Sequence, residues 1–408
     1  MTDEDHAQTV GGTGKRRLSV LDWIAICLLA SGGICVGTGL LTMADADATV
    51  RRILPILLFL ATVLVLAELT AEAGLFDMLA TRLATLGRGN FAALFGLCVA
   101  FAAITTISLN LDTTAVLLTP VMLALARSLE VPPLPLAMTT VWLANTASLL
   151  LPVSNLTNLL AANRVSLPPA AFAARMGLAQ AAAIAATMAF LWACYWNRRA
   201  RDADRYQLPP PHVARDPVLL RLAGLACLFF ISAILGGVEL GVASAIAAGV
   251  LVAAFAVRRR SALRWGLIPW RLPVFVTGLM LVVQTISIHF LGSVVSAMIG
   301  LSGGAVGTFR AAAVGAGLSS VLNNLPAYLA GEAVVPAANH VQLLGLLIGT
   351  NVGPIITPWA SLATLLWYER CRAQGVQVPL RAFMLAGAGL AIAGTAAAVG
   401  ALLVTNGS

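Results

Sequence analysis

Residues 108–120, with the sequence SLNLDTTAVLLTP, place a carboxylate between two strongly apolar segments. Burial disfavours the charged form of an acid, so Asp112 is suited to binding and releasing a proton. A structural alternative is that Asp112 caps a helix predicted over residues 113–127, which stabilises a helix by about 1 kcal/mol. The two roles are compatible, and the residues alone leave both open.

Neutral hydrogen-bonding side chains cluster at four interruptions of the apolar pattern: SLNL, SSVLNNLP, and the segments at residues 145–160 and 351–366. None contains Lys or Arg, and the basic residues near them in sequence include Arg127, Arg164 and Arg310. Amides and hydroxyls can hold a neutral hydroxylated solute without a cation. For any single residue, interhelical hydrogen bonding is the alternative. The candidate substrate-binding residues are Asn110, Thr113, Asn145, Thr146, Ser148, Ser154, Asn155, Asn323, Asn324, Asn351, Thr357 and Ser361.

The composition places these residues in a membrane. The chain is 59% hydrophobic and 10% charged, against roughly 25% charged residues in soluble domains. The first apolar run, residues 20–44, is longer than the roughly 7 to 15 residues of a signal-peptide core, so we expect it to remain as a span. The net charge of +8 comes from arginines in short loops, where membrane orientation explains them better than nucleic-acid binding. An acid at membrane depth is a functional candidate.

The sequence lacks the common motifs for metal binding, catalysis and nucleotide-phosphate binding. The six cysteines include no CxxC pair and the four histidines form no HExxH, so we predict no metal site, no cofactor and no enzyme activity. There is no GxxxxGK[ST] phosphate loop. Uphill transport would therefore draw on an ion gradient or on a separate subunit, and association with a cytoplasmic ATPase subunit stays open.

Two segments are too short to span alone. A bilayer core of about 30 Å needs roughly 20 helical residues, whereas residues 112–128 and 325–338 are shorter and follow polar tips. Non-helical backbone at that depth must line protein or a water-filled cavity. We therefore predict re-entrant helical hairpins over residues 90–128 and 303–338.

The two halves of the chain repeat each other. At an offset of 206 residues, Asn145 matches Asn351 and Pro152 matches Pro358. A proline within each segment predicts broken helices over residues 135–163 and 341–368, with a binding site near the midplane. The predicted fold is an all-α polytopic membrane protein built from inverted repeats. Its parts are a tail at residues 1–19, a first repeat at 20–196, a linker at 197–216 and a second repeat at 217–408.

The arginine distribution predicts an orientation. Nine full spans and two hairpins place twenty of the 25 Lys and Arg residues on one side. The positive-inside rule then puts the N-terminus in the cytoplasm and the C-terminus outside. The first half of the chain has one full span fewer than the second half, and we attribute this difference to loss of a peripheral helix. Residues 75–88 have the spacing of an interfacial helix.

The segments NLDTTAVLLTP (110–120), LNNLP (322–326) and GTNVGPIITPWASLATLLW (349–367) resemble the signature segments of the ArsB arsenite and antimonite efflux permeases, as does the segment at residues 145–160. These permeases belong to the ion transporter superfamily, with the divalent anion/sodium symporters. The resemblance implies an elevator-type carrier that exchanges neutral arsenite for protons. The symporters bind sodium at Ser-Asn-Thr tips, whereas NLDTT places Asp112 there, which disfavours a doubly anionic substrate.

The repeat and the resemblance together predict that the protein is a secondary transporter of the cell (inner or plasma) membrane. It exports arsenite and antimonite, with Asp112 as the proton-coupling residue. A sodium- or proton-coupled carrier of small organic or inorganic anions is the alternative, and sodium-dependent uptake without a response to arsenite would select it. A membrane enzyme has no catalytic constellation to support it.

Overall fold

The computed structural model describes residues 20–197, 205–208, 214–264, 267, 270–286, 288–289, 292–300, 303–336 and 338–406. Within these residues the chain is helical and has no strand, and one isolated antiparallel bridge joins Asn90 to Arg205. The first half contains α1 (Val20–Gly37), α2 (Met43–Glu72), α3 (Leu75–Leu86), α4 (Phe91–Ser108), α5 (Leu111–Thr113), α6 (Thr119–Ser128), α7 (Pro133–Thr146), α8 (Leu156–Arg164) and α9 (Pro169–Leu191). The second half contains α10 (Pro217–Leu235), α11 (Leu240–Arg258), α12 (Arg271–Ile286), α13 (Gly292–Ile299), α14 (Gly304–Leu322), α15 (Asn324–Glu332), α16 (His340–Val352), α17 (Leu362–Ala373) and α18 (Leu380–Asn406).

Among the described helices, seven are long and apolar enough to cross a membrane, judged by length and composition. The number rises to eight if the pair Leu57–Glu72 and Leu75–Leu86, which bends by 60°, counts as one span. The prediction of an all-α polytopic membrane protein is confirmed. The predicted total of nine spans remains a prediction, because the apolar parts of α1 and α12 are shorter. The predicted tail at residues 1–19 lies outside the described residues.

The chain reverses direction at the first predicted hairpin tip. Thr106 donates a hydrogen bond to the hydroxyl of Thr114 over 3.1 Å, although eight residues of continuous helix would separate them by about 12 Å. The returning segment, residues 111–128, is helical over 18 residues and includes a π-helical turn at Thr114–Leu118. That length is about 27 Å, so length alone does not distinguish a hairpin arm from a full span. In the second half, α14 and α15 pack against each other on either side of Asn323.

Two helices are interrupted at equivalent places. The first stops at Thr146 and restarts at Leu156, and the second stops at Val352 and restarts at Leu362, both pairs 206 residues apart. Each restart has a capping side chain from the preceding residue: Asn155 accepts the Thr157 amide, and Ser361 accepts the Thr364 amide. Each interruption also contains a short 3-10 turn, Pro152–Ser154 in one and Gly353–Ile355 in the other.

The helices pack as two groups. The first group is α1, α2, α10, α11 and α12, in which α1 packs along α12 and α2 packs along α11. The second group contains both tips and both interrupted helices, with α9 packed on α18 and α14 on α16. The short helices α3 and α13 connect the groups, since each follows a helix of the first and contacts the hairpin that follows it. Direct contact between the groups includes α2 against the π-helical turn and α12 against α15.

Ion pairs join helix ends in the first group. Arg258 lies 2.7 Å from the Asp216 carboxylate, which also caps α10 by accepting the Val218 amide. The hydrogen bond from Arg258 lowers the pKa of Asp216 below its usual value. The next residue, Arg259, pairs with Glu72 over 2.7 Å. The carboxyl end of α11 is therefore held to the beginning of α10 and to the end of α2.

Close backbone contact joins α14 and α16. Three glycines of the second interrupted helix are spaced four residues apart, at Gly345, Gly349 and Gly353. A Cβ on Gly349 would lie 1.9 Å from the carbonyl oxygen of Ala312, a distance that no real side chain tolerates. Small residues at this spacing let helix backbones approach in membranes. This contact fixes the second hairpin against the second interrupted helix.

Candidate substrate site

Asn110 forms the first tip. Its backbone is extended, and its side-chain oxygen accepts the Thr113 amide over 2.7 Å, which makes it the N-cap of the returning helix. The sequence alone left Asp112 open as the cap, but Asp112 lies inside the first turn. The structural alternative for Asp112 is therefore wrong, because an amide two residues earlier performs the capping.

Asp112 faces a cavity between the two helix groups. The residue is half-buried, and among the described residues its carboxylate has no hydrogen-bond partner and no ion-pair partner. In the part of the chain that the structure describes, no Lys or Arg side chain lines the cavity. The cavity has a volume of about 50 Å³, enough for a few water molecules or a small solute. Its lining is Phe59, Asn110, Leu111, Asp112, Pro152, Val153, Asn155, Leu156, Leu159, Phe275, Val276, Leu279, Asn323, Asn324, Leu325 and Leu362.

The second tip reaches the same cavity from the other half of the chain. Asn323 has φ of 111°, a conformation unusual for a residue with a side chain. Asn324 starts α15, and its backbone amide donates to the Ala360 carbonyl over 3.0 Å. Its side-chain oxygen accepts the Leu325 amide. Both tips therefore present asparagine to the cavity, as does the first interrupted helix through Asn155.

Two buried amide donors in this cavity have no partner. The side-chain nitrogens of Asn110 and Asn155 make no hydrogen bond among the described residues, although the oxygens of both are used in capping. A buried donor left unpaired costs about 1 to 3 kcal/mol. Asn110, Asn155 and Asp112 line the same cavity.

Two predicted binding residues contact the hairpins instead of the cavity. Ser154 donates to the Ile107 carbonyl over 2.8 Å, and Thr357 donates to the Ser320 carbonyl over 2.7 Å. Each carbonyl belongs to the residue three positions before the tip asparagine. The two halves therefore use the same type of bond to fix each tip against its interrupted helix.

A buried polar network connects the two interrupted helices. Asn351 donates to the Asn158 side-chain oxygen over 2.7 Å and accepts the Thr157 hydroxyl over 2.6 Å. Asn158 in turn donates to the carbonyls of Ser148 and Leu151 in the first unwound segment. Asn351 lies outside the cavity lining, so its observed contacts are between the repeats.

The remaining predicted residues also lie outside the cavity lining. Asn145 donates to the Val141 carbonyl and the Thr364 hydroxyl, while its side-chain oxygen has no partner among the described residues. The buried Thr113 hydroxyl likewise has none. Thr146 and Ser148 donate to backbone carbonyls, and Ser361 caps α17. Of the predicted set, the cavity brings together Asn110, Asp112, Asn155, Asn323 and Asn324.

Sequence reasoning missed Gln180 and the apolar side of the cavity. Gln180, on α9, accepts the Leu149 amide over 2.7 Å and donates to the Thr146 carbonyl over 2.9 Å. It thereby satisfies backbone groups that the unwound segment cannot pair itself. Phe59 and Phe275 line the cavity from α2 and α12 of the first group. Nothing at these positions distinguishes them from other apolar-segment residues, except that Gln180 is a polar residue within one.

The chain is similar to known transporters. It matches the profile of the CitMHS family, described as citrate transporter, over residues 18–364. It is 31% identical over 324 residues to the arsenical pump membrane protein of Yersinia enterocolitica, covering 75% of this chain and 76% of that protein. It is 30% identical over 326 residues to the protein of the same name in Escherichia coli strain K12, with the same coverage.

A solved structure shares the fold. The crystal structure of the YdaH transporter of Alcanivorax borkumensis aligns with a TM-score of 0.58 and covers 95% of this chain and 98% of that one. The sequence identity is 13%, so the alignment shows a common fold alone. The alignment extends over nearly the whole chain, so its fold is one already known.

Proposed function

The chain belongs to the citrate transporter family, CitMHS, and from this premise we propose that it is a secondary transporter exporting arsenite and antimonite in exchange for protons. The resemblance to the arsenite and antimonite efflux permeases that the tip and interrupted-helix segments indicated is confirmed by these relatives. Their name, arsenical pump membrane protein, supports the substrate class.

One observation carries the proposal. The described residues that line the cavity where both tips meet the first interrupted helix include one carboxylate and several asparagine amides, and no Lys or Arg. A divalent anion would meet Asp112 without an opposing side-chain cation, which is unfavourable. Neutral As(OH)3 has three hydroxyls that donate and accept, so it can bond to the carboxylate of Asp112 and to the unpaired amides of Asn110 and Asn155.

Exchange follows if the solute and the proton compete for Asp112. The ionised carboxylate accepts hydrogen bonds from the solute hydroxyls. After release outside, a proton binds to a carboxylate oxygen and removes an acceptor, so the site returns with the proton instead of the solute. Loss of that proton to the cytoplasm restores the solute-binding form. An ion gradient then drives export without a phosphate-loop ATPase in this chain.

The helix packing supports an elevator movement. The second group carries both tips and both interrupted helices, while Phe59 and Phe275 close the cavity from the first group. Sliding of the second group against the first, with α3 and α13 as flexible connections, would expose the cavity alternately to each side. The arginine distribution supports a cytoplasmic N-terminus and an external C-terminus. Association with a cytoplasmic ATPase subunit would use the cytoplasmic face.

The test is resistance in arsenite-sensitive cells. We expect expression of this protein to confer resistance to arsenite and antimonite and not to arsenate, which is anionic at neutral pH. Membrane expression is verified by immunoblot in each culture. Unchanged arsenite sensitivity despite confirmed expression would contradict the proposal.

The description of the matched family favours a second candidate. Because the CitMHS profile is described as citrate transporter, a sodium- or proton-coupled carrier of small anions is the alternative. Helix N-termini at Leu156 and Asn324 could partly offset the missing side-chain cation. Sodium- or proton-dependent uptake of citrate into vesicles, with no competition by arsenite, would select this candidate.

A further inference from the structure

A second cavity adjoins the central one. It has a volume of about 550 Å³ and shares Phe59, Pro152 and Leu159 with the cavity around Asp112. Its outer part is formed by the turn after α8 and the turn between α10 and α11. The predicted orientation places both turns outside the cell, so this cavity is called the external vestibule below. The three residues that it shares with the central cavity place the two cavities side by side.

Glu332 lines this vestibule and is unusual in its burial. It is 5% exposed and is the one charged residue among the described side chains that is buried. Acids within the membrane-spanning part of a protein are expensive and are functional candidates. The proposed mechanism through Asp112 gives Glu332 no role, although the two acids line adjoining cavities.

Helix α15 connects Glu332 to the central site. The helix begins at Asn324, which lines the central cavity, and ends at Glu332, which lines the vestibule. Eight residues of helix span about 12 Å. Glu332 therefore lies roughly that far from the second tip, at the end of α15 that lines the vestibule.

Four titratable side chains of the described residues lie in the vestibule or on helices packed against α15. The vestibule brings Arg164 of α8 and Glu239 of the α10–α11 turn to the same space. On the helices packed against α15, the other described titratable side chains are Arg310 of α14 and His340 of α16. Arg310 donates to the carbonyls of Met298 and Ala297. Glu239 is exposed, which makes it the natural control for Glu332.

We propose that Glu332 is a proton relay between the external vestibule and Asp112. A proton from external water binds to the Glu332 carboxylate, passes through water between the vestibule and the central cavity, and then binds to the Asp112 carboxylate, which leaves Glu332 ionised again. The relay supplies protons only in the externally open state. This inference rests on the proposed exchange function and concerns the entry of protons from the external side.

The test separates the relay from the exchange. Right-side-out membrane vesicles are loaded with arsenite at a fixed internal pH, and the exit rate is measured against external pH. Arsenite-for-arsenite exchange without a proton gradient is measured in parallel. We expect Glu332→Gln to keep the arsenite-for-arsenite exchange and to lose the acceleration of exit by external acid. Glu239→Gln should behave like the unmodified protein in both assays.

The outcomes are distinguishable. Absence of arsenite-for-arsenite exchange in the unmodified protein would overturn the proposed function and, with it, the relay. A normal external-pH profile in Glu332→Gln would overturn the relay alone, and so would loss of both activities in a folded variant, which indicates a structural role. If Glu332→Gln does not fold, the exit rate of Glu332→His is measured against external pH instead, because histidine titrates in a different pH range. A shift of the external-pH profile in Glu332→His supports the relay. An unchanged external-pH profile overturns it, and so does failure of Glu332→His to fold.

Discussion

Asn110 and Asp112 have different positions and contacts at the first tip. The amide oxygen of Asn110 caps the returning helix, which frees the carboxylate of Asp112 to face the cavity. The nitrogen of the same amide has no hydrogen-bond partner in the described part of the chain. If the proposed binding role holds, a single asparagine supplies a structural acceptor and a donor for the solute, so its replacement should affect both stability and binding.

Replacing Asn110 tests this double role against a simple cap. We expect Asn110→Ala to lower the free energy of unfolding by about 1 kcal/mol and to raise the KM for arsenite about fivefold, the effect of one lost hydrogen bond. Asn90 caps α4 by accepting the amides of Ala92 and Ala93, away from the cavity. Asn90→Ala should therefore cost similar stability and leave KM unchanged. Equal KM values in the two variants would show that Asn110 is only a cap.

The sequence predicted the tips better than the residues that hold them. Asn110, Asp112 and Asn323 stand out because polar side chains interrupt apolar segments there. The same reasoning cannot separate a hydroxyl that binds solute from one that binds a carbonyl, as Ser154 and Thr357 do. The choice depends on which carbonyl the tertiary packing brings near, and spacing along the chain does not contain that information.

At the scale of elements, the sequence repeat predicted two broken helices, and both restart at positions 206 residues apart, Leu156 and Leu362. The details of the interruptions differ for a local reason. The second 3-10 turn begins at Gly353, where Pro354 fixes φ and removes a donor. The offset paired Pro152 with Pro358 and took no account of this additional proline. The repeat therefore determines the helix ends more closely than the backbone between them.

The contact between α14 and α16 permits a prediction with a close control. In Gly349→Ala the new Cβ meets the Ala312 carbonyl at 1.9 Å, so the helices must separate at a cost of about 1 to 3 kcal/mol. We expect a lower unfolding temperature in detergent and reduced transport. A Cβ on Gly317 of α14 would meet no atom within 4 Å, so Gly317→Ala should be neutral or stabilising by up to about 1 kcal/mol. Equal unfolding temperatures for the two variants would refute the close contact.

At the scale of the whole molecule, the site is formed between two helix groups. The polar tips and amides belong to one group, and the aromatic side chains Phe59 and Phe275 belong to the other. Composition predicted the membrane setting and the helical class, because both follow from residue content. It could not predict which helices form each group, since nearly every segment is apolar and packing decides the pairing.

The most direct test of coupling through Asp112 is arsenite accumulation in everted membrane vesicles, with an acid-inside proton gradient and after its collapse. We predict that the unmodified protein accumulates arsenite only while the gradient is present. Asp112→Asn should reach the membrane in equal amount and fail to accumulate arsenite, because the amide keeps the shape but cannot carry the proton. Asp77→Asn, which changes an exposed acid of α3, should behave normally. Accumulation by Asp112→Asn at the unmodified rate and with the same response to the gradient would contradict the account.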